Sequence, residues 1–143
     1  MAKAKQASVG SAQGQADEGA AFVFHGTPTG IPSGVVTAAN ARLESNEAGA
    51  FFGVDVSGVG DVNGDGFSDV IVGATNYDNG QTNEGRAFAY YGSASGLPAS
   101  PSWSYESPEW GSELGTSLAS AGDVNNDGYS DIIVGAPHNA GGE

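Results

Sequence analysis

A fifteen-residue segment occurs twice, 62 residues apart, and this repetition constrains the chain more than any other feature. Gly60–Ala74 reads GDVNGDGFSDVIVGA and Gly122–Ala136 reads GDVNNDGYSDIIVGA, identical at 12 of 15 positions. A second pair, Glu18–Pro32 and Glu84–Pro98, matches at 7 of 15 positions with an offset of 66, so the two units differ by a loop length. Self-similarity at fixed spacing marks an architecture in which one supersecondary unit is used repeatedly. The phase of the repeat divides the chain into a leader, 1–18, a first unit, 19–84, and a second unit, 85–143. Within the leader, Val9-Gly10-Ser11 and Gly14–Glu18 echo Val72-Gly73-Ala74 and Gly80–Glu84, which reads as the end of a preceding repeat; Met1–Gln6 reads as a vector remnant.

The periodicity inside each unit is that of strands. Phe22 and Phe24 alternate with smaller residues, as do Phe88 and Tyr90, and the runs Asp69–Ala74 and Asp131–Ala136 are β-branched and end in Gly-Ala. Four short strands per unit are predicted: 20–25, 34–40, 51–59 and 69–74, then 86–92, 102–106, 114–121 and 131–136. Pro28, Pro32, Pro98, Pro101 and Pro108 fall between them, where a missing N–H does no harm. The fold class is therefore all-β, with antiparallel four-stranded units that suit the blades of a β-propeller, two blade equivalents per chain. The 24 glycines among 143 residues agree with short strands and many turns.

Charge excludes several functions. Four Lys and Arg against 17 Asp and Glu give a net charge of −13, too few cations to build a phosphate-binding face, so no nucleic-acid partner is expected. No cysteine is present, which removes disulfides and thiolate metal sites. Apolar runs are only a few residues long, so membrane insertion is not expected, and no signal peptide is legible at the N-terminus.

The acidic residues are concentrated in the repeated segment. Asp61, Asn63, Asp65 and Asp69, and again Asp123, Asn125, Asp127 and Asp131, stand at positions 1, 3, 5 and 9 of a glycine-containing loop. The carbonyl of Phe67 or Tyr129 at position 7 would add a further oxygen. Calcium accepts about 6 to 8 oxygens in flexible geometry, whereas magnesium keeps its waters and zinc wants nitrogen or sulfur. The plainest competing reading is a pair of Asx turns, which favour the same residue types, yet the ligand spacing occurs twice. The other competitor is an EF-hand or dockerin-like loop, which needs a bidentate acid at position 12. Val72 and Val134 stand there, in β-branched segments that favour strand over helix.

With these loops in place, the chain resembles the FG-GAP repeats of integrin α-subunit propellers and their bacterial relatives. The motif is Phe-Gly, an Asp-rich loop, then Gly-Ala-Pro: here Phe52-Gly53 and Gly73-Ala74-Thr75, then Leu114-Gly115 and Gly135-Ala136-Pro137. Leu114 and Thr75 depart from the pattern without touching a ligand position. The resemblance implies blades arranged around a central channel, each loop following the innermost strand. It implies Ca2+ held by Asp61, Asn63, Asp65, Phe67 (carbonyl) and Asp69, and by Asp123, Asn125, Asp127, Tyr129 (carbonyl) and Asp131, about one ion per repeat and two per chain. Two divalent ions would take the −13 to −9.

Two units cannot close a ring of about 4 to 8 blades. The chain opens with two outer strands of one blade, holds one whole blade and ends with two inner strands of another. Strands 114–121 and 131–136 of one copy are therefore expected to pair with strands 20–25 and 34–40 of the next, head to tail, as a homotrimer of six blades or a homotetramer of eight. The expected function is non-enzymatic: a calcium-binding, self-assembling scaffold or interaction module. The resemblance points to a parent in extracellular or cell-surface adhesion and ligand recognition, with a protein or carbohydrate ligand. The alternative is an accessory, carbohydrate-binding propeller of a secreted enzyme whose catalytic domain lies elsewhere.

The remaining chemistry-bearing residues read as structural. His25 and His138 have no recurring Ser or Cys partner for a hydrolytic triad, and Glu106 with Glu109 fits an acidic loop better than a glycosidase pair. Trp103, Tyr105 and Trp110 have no counterpart in the first unit; a sugar-stacking or protein-binding surface is the competing reading, and packing on an outer strand is the expected one. Arg42 and Arg86 are expected to pair with nearby carboxylates.

Overall fold

The computed structural model describes residues 3–6 and 16–139. Its strands are β1 (Lys3–Gln6), β2 (Ala21–Phe24), β3 (Ala41–Leu43), β4 (Phe52–Gly60), β5 (Asp69–Ala74), β6 (Arg86–Tyr90), β7 (Trp103–Glu106), β8 (Ser117–Gly122) and β9 (Asp131–Gly135). They form three antiparallel sheets, ordered β1-β2-β3, β4-β5-β6-β7 and β8-β9. The middle sheet is a complete four-stranded blade, flanked by the outer part of one blade and the inner part of another. Its strands come from both sequence units, as expected from the phase of the repeat.

The β5 run DVIVGA is buried along its whole length because it faces a neighbour on each side. Val70, Val72 and Ala74 point toward the first sheet and pack with Ala21, Val23, Leu43, Phe52, Phe88 and Tyr90. Ile71 points the other way, into a cluster with Val59, Ala87, Leu114 and Leu118 against β8 and β9. Period-two alternation thus serves two interfaces at once.

The joint between blades is built twice in the same way. Gly19 bridges Phe52 in parallel, and Gly85 bridges Leu114. Phe52 N–H donates to the Glu18 carbonyl at 2.7 Å, and Leu114 N–H to the Glu84 carbonyl at 3.1 Å. Here the glycines of the repeat motif find their reason: a Cβ on Gly73 would collide with the carbonyl oxygen of Gly115, whose own φ is +91°. The Gly of one blade's Gly-Ala and the Gly of the next blade's Leu-Gly therefore meet backbone to backbone, an approach only glycine permits. Across the same joint, Asp55 Oδ2 accepts from Leu118 N–H at 2.6 Å.

Two elements differ from the sequence reading. The expected strand 34–40 is absent; a 3-10 turn occupies Val36–Ala38 and the strand begins at Ala41. Val35 and Val36 are β-branched but solvent-exposed. The register on β2 is fixed instead by Leu43, which is buried opposite Ala21, while Arg42 lies over the Phe22 ring and pairs with Glu44 at 2.6 Å. Second, the leader contributes β1, which pairs along β2 from Lys3↔Phe24 to Gln6↔Ala21. The echo at Val9–Ser11 and Gly14–Gln15 lies outside the described residues. Arg42 and Arg86 are paired as expected, Arg86 with Glu106 at 3.4 Å.

Glu84, whose counterpart is Glu18, is buried at the joint and accepts from Asn79 N–H at 2.6 Å. Burial is the main influence on its carboxyl and raises it above the usual carboxylate range. A folded-state pKa above the unfolded one favours folding below the unfolded pKa, and that contribution is lost as pH rises through the folded pKa. Glu84→Gln keeps the acceptor and removes the charge. Its melting temperature should therefore exceed the parent's at pH 7, with the gap closing near about pH 4; thermal melts at the two pH values measure this.

Candidate metal centre

Each acidic loop connects the first two strands of its sheet, Asp61–Asp69 between β4 and β5 and Asp123–Asp131 between β8 and β9. Strand pairing closes the loop ends, and the interior is organised by its own carboxylates. Asp61 Oδ1 accepts from Gly64 N–H at 2.6 Å and from Asp65 N–H at 3.1 Å, and Oδ2 accepts from Gly66 N–H at 2.8 Å. Asp65 N–H also reaches Asn63 Oδ1 at 3.1 Å, Asn63 Nδ2 donates to Asp65 Oδ2 at 2.9 Å, and Phe67 N–H donates to Asp65 Oδ1 at 2.9 Å.

The second loop repeats this set almost bond for bond. Asp127 N–H reaches Asp123 at 3.0 Å and Asn125 at 3.1 Å, and Gly128 N–H reaches Asp123 at 2.9 Å. Asn125 Nδ2 donates to Asp127 at 2.9 Å, and Tyr129 N–H donates to Asp127 at 3.0 Å. Asn126 takes the place of Gly64 and adopts φ +61°, a left-handed conformation that Asn tolerates. Gly64 must stay small because the Tyr129 ring of the neighbouring loop lies where its Cβ would be.

Asp61, Asn63 and Asp65 are thus brought together, as are Asp123, Asn125 and Asp127. Phe67 and Tyr129 lie exposed on the loop rims. Asp69 has a different station: it is fully buried, with Oδ2 accepting from Val62 N–H and Oδ1 from Gly92 N–H, each at 2.8 Å. It ties the loop to the turn after β6. Asp131 keeps the equivalent first bond, from Val124 N–H at 2.8 Å. The turn that would carry a counterpart of Gly92 does not follow β9 within the described residues, and Asp131 is only half-buried.

The donor set suits a hard cation: oxygens only, three carboxylates per loop. Among the described residues, no three acidic or histidine side chains converge into a ready-made cage. The carboxylates instead face the loop's own N–H groups, which hold Asp61 below the usual carboxylate range, the Gly66 N–H contributing most. The ion pairs among the described residues engage Glu18, Glu44, Glu106 and Glu113, none of them in either acidic loop. The sequence reading missed the role of Gly92. Its signal was the Gly26–Gly92 match at offset 66, which aligned without an assigned partner.

Trp103 and Tyr105 stack with ring centroids 6.3 Å apart and are exposed, contrary to the packing expected of them. Trp110 is exposed as well. For the first two the reason is that, among the described residues, the last sheet has two strands, so β7 faces only a partial blade.

Comparison with known proteins agrees with the geometry. The profile of the FG-GAP-like repeat family matches residues 61–134, just over half of the chain. Integrin alpha-3 of Cricetulus griseus is 39% identical over 97 residues, covering 66% of this chain and 9% of the relative. Integrin alpha-V of Gallus gallus is 39% identical over 101 residues, 67% of this chain and 10% of the relative. Integrin alpha-IIb of Homo sapiens is 37% identical over 86 residues, 59% and 8%. The chain spans about a tenth of the length of the curated relatives it matches.

Asp69→Ala should leave the Val62 and Gly92 N–H groups without their acceptor and cost about 1–3 kcal/mol in urea unfolding. Asp131→Ala should cost less, because only one of those two bonds exists there.

Proposed function

The chain belongs to the FG-GAP-like repeat family, and from that premise we propose that it is a non-catalytic, calcium-stabilised propeller segment that completes its ring with copies of itself and serves recognition at a cell surface. The observation that carries the assembly is a mismatch between equivalent positions. Leu43 and Tyr105 pair with the repeat-equivalent residues Ala21 and Ala87, yet Leu43 is 1% exposed and Tyr105 52%. Ile71 and Ile133 are equivalent, yet Ile71 is 0% exposed and Ile133 60%. Where the corresponding strands of a following sheet are present, these positions are covered; where none follows among the described residues, they lie open.

The repeat register specifies what would cover them. In the complete blade Val72 stands opposite Phe88. The same pairing between copies sets Val134 of β9 opposite Phe22 of the next copy's β2, and Ile132 opposite Phe24. Phe22 and Phe24, the equivalents of Phe88 and Tyr90, would then pack over Trp103 and Tyr105. In the single chain β1 holds that edge of β2, with Lys3 and Lys5 at the register positions equivalent to Val70 and Val72. Assembly therefore exchanges β1 for a partner's β9, replacing lysine positions by isoleucine and valine in an apolar joint. Three copies give six blades and four give eight.

Calcium is supported by the all-oxygen loops and by their lack of a cationic partner among the ion pairs of the described residues. Binding would draw on Asp61, Asn63, Asp65 and Asp69 with the Phe67 carbonyl, and on their counterparts Asp123, Asn125, Asp127 and Asp131 with the Tyr129 carbonyl. An ion that binds only the folded state at about 100 times its Kd stabilises by about 2.7 kcal/mol.

Native mass spectrometry in dilute calcium tests both parts. A discrete trimer or tetramer with about two calcium ions per chain is expected, and Tyr105→Glu should shift it to monomer. A calcium-loaded monomer would end the assembly reading. A melting temperature unchanged between calcium and EDTA would end the metal reading.

A further inference from the structure

The exposure of Trp110 has a different origin from that of Trp103 and Tyr105. Trp110 is 75% exposed, and its repeat equivalent is Ala48. The two positions are anchored alike: Gly49 N–H donates to the Ala16 carbonyl and Gly111 N–H to the Thr82 carbonyl, both at 2.9 Å. Ala48 sits beside a joint whose flanking sheets are present on both sides, and it is exposed there too. Completing a ring would therefore leave Trp110 in solvent. A single exposed indole is not in itself a site, but at a position that the architecture leaves open it offers a flat apolar face to whatever its neighbours can also bind.

Its surroundings supply the chemistry. Trp110, Gly111 and Glu113 from the segment before β8, Thr82 and Asn83 from the turn before β6, and His138 after β9 line a cleft of about 440 Å3. His138 Nε2 lies 3.6 Å from Glu113 Oε2. His138 N–H is fixed by the Ser112 carbonyl at 3.3 Å, and Glu113 N–H by the Asn83 carbonyl at 3.1 Å, so both side chains stand on tied backbone. At the corresponding joint of the first unit the same three positions are Ala48, Phe51 and Asn76. Within two otherwise closely matched repeats, one joint has thus gained an exposed aromatic face, a carboxylate and an imidazole together.

We propose that this cleft, built on Trp110, Glu113 and His138, is a binding site for a neutral carbohydrate, a pyranose ring stacking on the Trp110 indole while its hydroxyls bond Glu113, His138 and Thr82. The polar set favours a polyhydroxylated ligand. Glu113 only accepts, whereas the imidazole and the Thr82 hydroxyl can donate and accept, and vicinal hydroxyls match that mixture. An ammonium group could use the indole and the carboxylate but would leave the other groups without a partner. An anion would meet a chain of net charge −13. The site lies at a joint within one chain and does not rest on calcium or on ring closure.

The test uses Trp103→Phe protein, in which Trp110 is the sole indole and reports by fluorescence. The probes are neutral glucan, mannan, galactan and chitin oligosaccharides, with tetramethylammonium as the cationic control. At least one oligosaccharide should give a saturable change. Trp110→Ala in the otherwise unaltered chain should weaken that sugar's binding about tenfold or more by calorimetry, and Glu113→Gln should weaken it less. Because Trp110 is exposed, its replacement should leave the melting temperature unchanged, so lost binding cannot be ascribed to unfolding. The proposal is overturned if no oligosaccharide saturates below about 10 mM, if binding survives Trp110→Ala undiminished, or if tetramethylammonium saturates while every sugar fails. None of these results would alter the oligomer or calcium measurements, so this inference and the scaffold reading fail separately.

Discussion

A four-stranded sheet whose second strand is apolar on both faces has no stable existence by itself, and the rest of this structure follows from that constraint. Ile71 and Val72 are adjacent in β5 and both fully buried, one in each of two separate clusters. Such a blade needs a neighbour on either side. Covering one isoleucine or valine contributes about 1.5–3 kcal/mol, and each joint covers several, so losing a neighbour on one side would be a deficit comparable with the whole net stability of a small domain. The short backbone approach of Gly73 to Gly115 belongs to the same economy of space. Any side chain there would hold the sheets apart and open a gap between the apolar faces.

The acidic loops solve a different problem, how to turn sharply between two paired strands without leaving backbone groups unbonded. Asp61 satisfies three N–H groups and Asp69 two more. The solution concentrates carboxylates where no Lys or Arg pairs with them among the ion pairs of the described residues. Backbone N–H groups carry only partial charges, so they orient these carboxylates without neutralising them. This is the electrostatic setting in which a divalent ion of oxygen preference gains most. The turn chemistry and the metal chemistry are therefore not rival readings of the same residues; the first fixes the carboxylates the second would use.

The legible parts of this fold were those where local pattern and tertiary role coincide. The β5 run is legible because its β-branched residues serve both propensity and burial, β9 because it repeats the β5 sequence, and the loops because ligand spacing is itself local. The segment 34–40 misled because Val35 and Val36 have strand-forming side chains, while the pairing on β2 is decided by the burial of Leu43. β1 carries no strand alternation in its sequence, Lys3-Ala4-Lys5-Gln6, and its place is given by the backbone pairing along β2. Trp103 and Tyr105 were read as packed because aromatic residues on an outer strand usually are. Their exposure depends on what lies beyond β9, which no local pattern encodes. The Glu113–His138 pair was out of reach for the same reason, as it joins residues from both ends of the β8–β9 hairpin.

The difference between Asp69 and Asp131 connects the loops to the assembly. Asp69 is completed by Gly92, in the turn that follows the third strand of its own blade. Asp131 begins the second strand of a blade whose third strand, in the proposed ring, is β2 of the next copy, and the residue equivalent to Gly92 there is Gly26. One bond that fixes the second acidic loop would thus come from another molecule. In the single chain that loop lacks a tether the first possesses: Asp131 is held by the Val124 N–H where Asp69 is held by both Val62 and Gly92. An ion favours the state in which its ligands are already positioned, and linkage makes such a preference reciprocal. Calcium at the second loop would then tighten the joint between copies, while calcium at the first would act mainly within its own chain. Two nearly identical loops would in this way perform different tasks, set apart by whether the neighbouring strand belongs to the same chain.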